Sequence, residues 1–172
     1  MKTILLLGAN GQLGGDIVSR VASEYAADFK LIAWTREKLD VMALDQIDMR
    51  LGEISFDILI NCTSYHKTDE VEANADKAVT INAHAVAEMA KACQKQSAIL
   101  LHISTDYVFG GDVDRSTPLS EHDAPAPLNV YGATKLMGEN LARKHHKNTI
   151  ICRVASLFGV RGASGKGGNF IE

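Results

Sequence analysis

Cysteine is scarce in this 172-residue chain: Cys62, Cys93 and Cys152 are widely spaced, and no Cys-x-x-Cys pair occurs. An odd, scattered set excludes a disulfide framework and a thiolate metal knuckle. It reads as free, buried thiols in a reducing, cytoplasmic setting. Proline is equally scarce, and all three residues (Pro118, Pro125 and Pro127) fall in one stretch. No apolar run approaches the ~20 residues needed to cross a bilayer. The run Ile4 to Leu7 is interrupted at Gly8 before it can form a signal-peptide core. There is no excess of positive charge either. Eighteen basic against twenty-one acidic side chains give a net charge of −3, which argues against the basic face of a nucleic-acid binder. Internal repeats and low-complexity linkers are missing too. What remains, 46% hydrophobic and 23% charged, is a soluble globular composition. A chain this long buries roughly 70% of its unfolded surface, enough for one core without staples.

Apolar runs alternate with helical periodicity. Strands are expected at Thr3–Leu7, Lys30–Trp34, Ile58–Asn61, Ile99–Ser104 and Thr149–Val154, each apolar on both faces. Helices are expected at Gln12–Tyr25, Ala43–Leu51, Thr68–Gln96 and Val130–His145. In the third of these, Ala78, Ile81, Ala85, Met89 and Ala92 recur at three and four and form a packing stripe. Repeated β-α-β order predicts an α/β fold, a doubly wound parallel sheet of the Rossmann type. Two stretches break the alternation. One is the polar loop Asp106–Leu128; the other is the glycine-rich Gly159–Asn169, three residues before the chain stops at Glu172. The expected organisation is a dinucleotide-binding domain over 1–158 and the start of a substrate-binding region over 159–172.

The first strand runs directly into Gly8-Ala9-Asn10-Gly11-Gln12-Leu13-Gly14 and then a helix. Glycines there let backbone approach a pyrophosphate, and the amides and dipole of the helix N-terminus attract its charge. The spacing is G-x-x-G-x-x-G; its place between a strand and a helix gives it weight. About twenty residues further on, a dinucleotide fold reads the adenosine ribose. Here Trp34-Thr35-Arg36 offers no carboxylate for a 2′-hydroxyl, while Arg36 suits a 2′-phosphate, so NADP(H) is favoured over NAD(H). Tyr131 and Lys135 share a helix face at i, i+4. An ammonium beside a phenol should lower its pKa from near 10 and ready it for proton exchange. Ser104-Thr105-Asp106 lies at the C-terminal end of a strand, where open α/β sheets bind ligands. His102, within an apolar strand, reads as a satisfied core residue. His145-His146 ends a helix and suits its dipole rather than a metal. Gly165-Lys166 lacks the spacing and hydroxyl of a P-loop.

Taken together, these residues resemble the extended short-chain dehydrogenase/reductase superfamily and, within it, the dTDP-4-dehydrorhamnose reductase family. The resemblance is carried by Gly11-Gln12-Leu13-Gly14, Leu39-Asp40-Val41, and Asp57-Ile58-Leu59-Ile60-Asn61 with Asp69 and Glu72 behind it. It continues through Ser104 to Gly110, Pro127 to Lys135, Gly138-Glu139, Arg153, Leu157-Phe158-Gly159 and Asn169-Phe170. It implies that Gly8, Asn10, Gly11, Gln12, Leu13 and Gly14 meet the cofactor pyrophosphate, with Asp40 and Val41 on the adenine side. It further implies that Cys62, Thr63 and Ser64, after the family's fourth strand, run along the cofactor. Thr105 and Asp106 would meet the sugar's 4-keto end, and Thr105, Tyr131 and Lys135 would be catalytic, Lys135 also bonding the nicotinamide ribose. The implied activity is NAD(P)H-dependent reduction of a deoxysugar nucleotide, without a metal, in a chain compatible with a homodimer. Three places depart from the family: Thr35 replaces an acidic residue, Cys62-Thr63-Ser64 replaces Ala-Ala-Ala, and Val154-Ala155-Ser156 replaces Thr-Ser-Trp. With the family's smaller C-terminal domain nearly missing, the chain reads as the cofactor domain of a longer reductase. Two rivals use the same residues: a sugar-nucleotide epimerase or dehydratase with tightly held NAD, and a non-catalytic NADP-binding regulatory subunit.

Overall fold

The computed structural model describes residues 1–160. The glycine-rich stretch from Arg161, and with it Gly165-Lys166, Asn169-Phe170 and most of the expected substrate-binding segment, lies outside the described residues. The five expected strands form: β1 (Lys2–Leu7), β2 (Phe29–Trp34), β3 (Ile58–Asn61), β4 (Ile99–Thr105) and β5 (Thr149–Val154). They make one sheet in the order β2-β1-β3-β4-β5, every neighbouring pair parallel. This is the Rossmann-like α/β architecture, and the chain reverses its direction across the sheet between β1 and β3. Leu39-Asp40-Val41 forms no strand, so the strand ending at Asn61 is the third and not the fourth.

Helices α1 (Gln12–Glu24), α2 (Leu44–Gly52) and α6 (Val130–His145) lie within a residue or two of expectation, and α5 (Ala85–Gln96) ends where the third expected helix ends. The expected helix 68–96 is broken. It runs as α3 (Thr68–Ala73), α4 (Ala75–Val79), one π-helical turn (Thr80–His84) and then α5. The stripe survives the break, with Ala78, Ala85, Met89 and Ala92 all buried and Ile81 packed against the core. The expectation that every strand is apolar on both faces holds least for β2 and β5. Both are sheet edges, where Lys30, Ala33 and Ile150 are exposed.

The core sits on one face. Leu59 and Leu100 from the sheet pack with Ile47 and Leu51 of α2 and with Val86, Met89 and Cys93 of α5. The alternate residues of the same strands, Ile58, Ile60, Leu101 and Ile103, point to the other face and are only half-buried. No described helix is long and apolar enough to cross a membrane.

Candidate functional site

A cleft of about 740 Å³ opens along the C-terminal ends of the strands, at the reversal between β1 and β3. Gly8, at the end of β1, sits at φ +80, and a Cβ there would press on the Cys62 carbonyl. Only glycine holds this turn without strain. A Cβ on Gly14 would run into the Gly8 carbonyl, so α1 can rise this close to β1 only without a side chain. Helix α1 starts at Gly11 with no side-chain cap, which leaves its positive end to the cleft. Gln12 reaches across the mouth and donates from Nε2 to the Leu157 carbonyl at 3.2 Å.

At the β2 end, Arg36 is ion-paired with Asp40, Nη2 to Oδ2 at 2.7 Å, and Asp40 Oδ1 accepts the Met42 amide at 3.0 Å. Partial burial would raise the Asp40 pKa, but the Met42 amide and the Arg36 guanidinium hold it below the usual value. The residue assigned to a 2′-phosphate and the residue assigned to the adenine side therefore already hold each other.

The opposite end is built on α6. Asn129 caps the helix, its Oδ1 accepting the Gly132 amide at 2.7 Å, and Glu72 Oε1 accepts the Val130 amide at 2.8 Å. A Cβ on Gly132 would collide with the Tyr107 carbonyl, so α6 abuts the turn Asp106–Val108 and carries Tyr131 to the end of β4. The Tyr131 phenol faces the Thr105 and Ser64 hydroxyls, which favour its ionised form. Burial nevertheless raises its pKa above 10, outweighing them, with Asp106 and Tyr107 adding to the rise. This corrects the expectation that Lys135 lowers it. Lys135 is 1% exposed and turns inward: its Nζ donates to the Ile103 carbonyl at 2.6 Å and lies 3.3 Å from His102 Nε2. Burial lowers the Lys135 pKa to about 8, against the opposing pull of Glu139 and Cys62.

The residues assigned from sequence to cofactor, substrate or catalysis line this cleft: Gly8, Asn10, Gly11, Gln12, Leu13 and Gly14 at one wall, Arg36, Asp40 and Val41 at the β2 end. Cys62, Thr63 and Ser64 line its floor, and Thr105, Asp106, Tyr131 and Lys135 its far end. Val154, Ala155 and Ser156, where the family resemblance lapses, line it as well. His102 is a satisfied core residue, fully buried with both ring nitrogens in contact.

Two supports had no role assigned from the sequence, though Glu139 and Arg153 belong to the motifs that carry the resemblance. Asn82, in the π-helical turn, accepts from the Tyr65 amide (2.9 Å) and Ser64 Oγ (3.3 Å) and donates to the Tyr65 carbonyl (3.0 Å) and Thr134 Oγ1 (3.1 Å). It ties the cleft floor to α6, and a lone amide inside an alanine-rich stripe was its signal. Glu139, wholly buried under α6, accepts from Ser104 Oγ at 2.5 Å and from Arg153 at 2.7 Å. Arg153 also lies 4.9 Å from the Phe109 ring centre. Among the described residues, no three His, Cys, Asp or Glu side chains converge as a metal site.

Comparison with known proteins gives a match over residues 1–172 to the family described as RmlD substrate binding domain. The dTDP-4-dehydrorhamnose reductase of Mycolicibacterium smegmatis is 35% identical over 95% of this chain and 48% of its own length. Two solved structures bear the same name. That from Bacillus anthracis, in complex with NADP, has a TM-score of 0.84 at 34% identity, covering 92% of this chain and 55% of its own. That from Clostridium acetobutylicum has a TM-score of 0.86 at 33% identity, covering 98% and 56%. The chain thus spans about half the length of these relatives.

Proposed function

Because the chain belongs to the RmlD substrate binding domain family, we propose that its cleft binds a nicotinamide dinucleotide and serves reduction of the 4-keto group of a deoxysugar nucleotide. The observation that carries this reading is the shared cleft. The glycine turn and the open end of α1 lie at one wall, and Thr105, Tyr131 and Lys135 stand together at the other. The cradle fits such a cofactor: Gly8 and Gly14 leave backbone where a side chain would intrude, and α1 presents its positive end to a pyrophosphate. Arg36 and the NADP of the B. anthracis relative favour NADP(H), with Arg36 exchanging Asp40 for the 2′-phosphate.

The nicotinamide, when bound, supplies the hydride. Tyr131 supplies the proton to the oxygen on which charge develops. A phenol held above its ordinary pKa keeps that proton through the neutral range, as an acid for reduction requires. The Thr105 hydroxyl, which donates to Asp106 at 3.1 Å in the open cleft, turns its single proton to the same oxygen as charge develops there. Lys135 holds the nicotinamide ribose. The sugar is narrowed least, since Val154-Ala155-Ser156 replaces the family's Thr-Ser-Trp at the cleft wall.

Titration of the chain with NADPH and NADH by calorimetry tests the cofactor half. Saturable binding, tighter for NADPH, is expected, and binding of neither would refute it. Oxidation of NADPH with a dTDP-4-keto deoxysugar tests the chemistry. The remaining half of the relatives' length would supply binding energy that positions a substrate, so full turnover is expected in a chain of their length.

A further inference from the structure

The buried polar chain behind Lys135 fixes a proton. Asn61 Oδ1 accepts both the backbone amide of Thr63 (2.9 Å) and its hydroxyl (2.6 Å). A backbone amide can only donate, so this oxygen cannot exchange places with the side-chain nitrogen. Asn61 Nδ2 therefore faces His102 Nδ1, at 3.1 Å, and that ring nitrogen must accept. His102 is fully buried; desolvation first, and the neighbouring Lys135 charge second, keep its ring neutral. A neutral imidazole that accepts at Nδ1 carries its single proton on Nε2. That N–H is aimed at Lys135 Nζ, 3.3 Å away.

We propose that His102 is a positioning residue for Lys135, locked by Asn61 and Thr63 in the tautomer that points an N–H at the lysine nitrogen. Facing an ammonium, this N–H meets another donor; facing an amine, it meets a lone pair and makes a hydrogen bond. The Ile103 carbonyl, 2.6 Å from Nζ, accepts in either case and does not discriminate. The other groups around Nζ come from the segment after β3 and from α6. Cys62 after β3 is a thiol pushed up to about 12 by burial, and Glu139 on α6 is committed to Ser104 and to Arg153 of β5. Tyr131, on α6, keeps its proton. Beside burial itself, the His102 N–H is thus the contact in the pocket that favours the neutral amine. A lysine that ionises near neutral pH can lend and retake a proton beside Tyr131, which a fixed ammonium cannot. That consequence rests on the reductase reading; the tautomer does not.

The test is made on the unaltered chain labelled with ¹⁵N-histidine, using long-range proton–nitrogen correlation spectra from pH 6 to 9. Of its six histidines, two are buried, His102 and His146, and the second binds the Ala98 carbonyl through Nε2 at 2.7 Å. His102 should stay neutral with the proton on Nε2, and His146→Gln, which removes the other buried ring, assigns its signal. A buried Nδ1–H ring, or an imidazolium at His102, would overturn the proposal. In Asn61→Asp the carboxylate accepts from Nδ1, so the tautomer should reverse and Nε2 become an acceptor for the ammonium. The Lys135 midpoint, followed by its ¹³Cε shift, should then rise by a unit or more, a tenfold change. A reversed tautomer with an unmoved Lys135 midpoint would remove His102 from the role. Neither readout uses a dinucleotide or turnover, so failure of the reductase reading would show separately, as no NADPH binding.

Discussion

Two arginine–carboxylate pairs in this molecule have the same length and opposite surroundings. Arg36 and Asp40 meet at 2.7 Å at the β2 end of the cleft, with the arginine side chain 73% exposed. Arg153 and Glu139 also meet at 2.7 Å, but beneath α6, with side chains 13% and 0% exposed. Distance alone would rank them as equals. In water an ion pair is screened and contributes ~0–1 kcal/mol, whereas a buried one cannot lose a partner without stranding a charge. The exposed pair can therefore open to admit a ligand, and the buried pair can only hold. One end of the cleft is thus exchangeable, and the other is backed by a fixed pair.

The largest effect should come from the fixed end. Tyr131→Phe, in a chain long enough to turn over, should cut kcat by about 10²–10⁴ while leaving NADPH affinity nearly unchanged. Retention of more than a tenth of kcat would take the acid role away from Tyr131. Next comes Glu139→Ala, which strands Arg153 and should cost about 3–5 kcal/mol in chemical denaturation. Replacing both partners, as Glu139→Leu with Arg153→Met, should cost much less. If the double change is as damaging as the single one, the pair is not what holds α6.

Lys135 sharpens the comparison through pH. Its pKa is about 8 in the folded chain and 10.5 as an ordinary lysine. Below pH 8 both states hold the proton, and folding bears the full penalty of burying the charge. Between about 8 and 10.5 the folded chain gives up the proton while the unfolded chain keeps it, so stability rises with pH. The gain is on the order of 3 kcal/mol and should vanish from the difference curve of Lys135→Met. At the exchangeable end, Arg36→Ala should weaken NADPH by about 1.5–3 kcal/mol in calorimetry and leave NADH almost untouched. The same variant should change folding stability by less than about 1 kcal/mol. Equal losses for both nucleotides would show that Arg36 does not read the phosphate.

Much of this arrangement was legible in sequence because it depends on local patterns. Strand runs, the glycine turn and the Tyr131/Lys135 spacing each need only a few neighbouring residues to declare themselves. What escaped depends on contacts across the fold. The break at Thr80–His84 preserves the apolar stripe it interrupts, so periodicity hid it, and Asn82 finds its partners on Tyr65 and Thr134. The inward turn of Lys135 is set by the Ile103 carbonyl and His102 on another strand. An i, i+4 relation with Tyr131 gave the shared helix face but not the direction of the ammonium. Arg36 and Asp40 both line the cleft, but the sequence presents them as separate contacts. Their pairing is visible only in the fold.

The sheet separates two properties that most strands mix. On β3 and β4, Leu59 and Leu100 are sealed beneath α2 and α5, while Ile60 and Leu101, one residue along, remain half-open on the reverse face. A polar substitution at the first pair alters whether the chain folds; at the second it alters how the folded chain meets water and other molecules. Solubility and stability are thereby written on opposite sides of the same few residues. An engineer could rewrite either one by choosing odd or even positions along a strand.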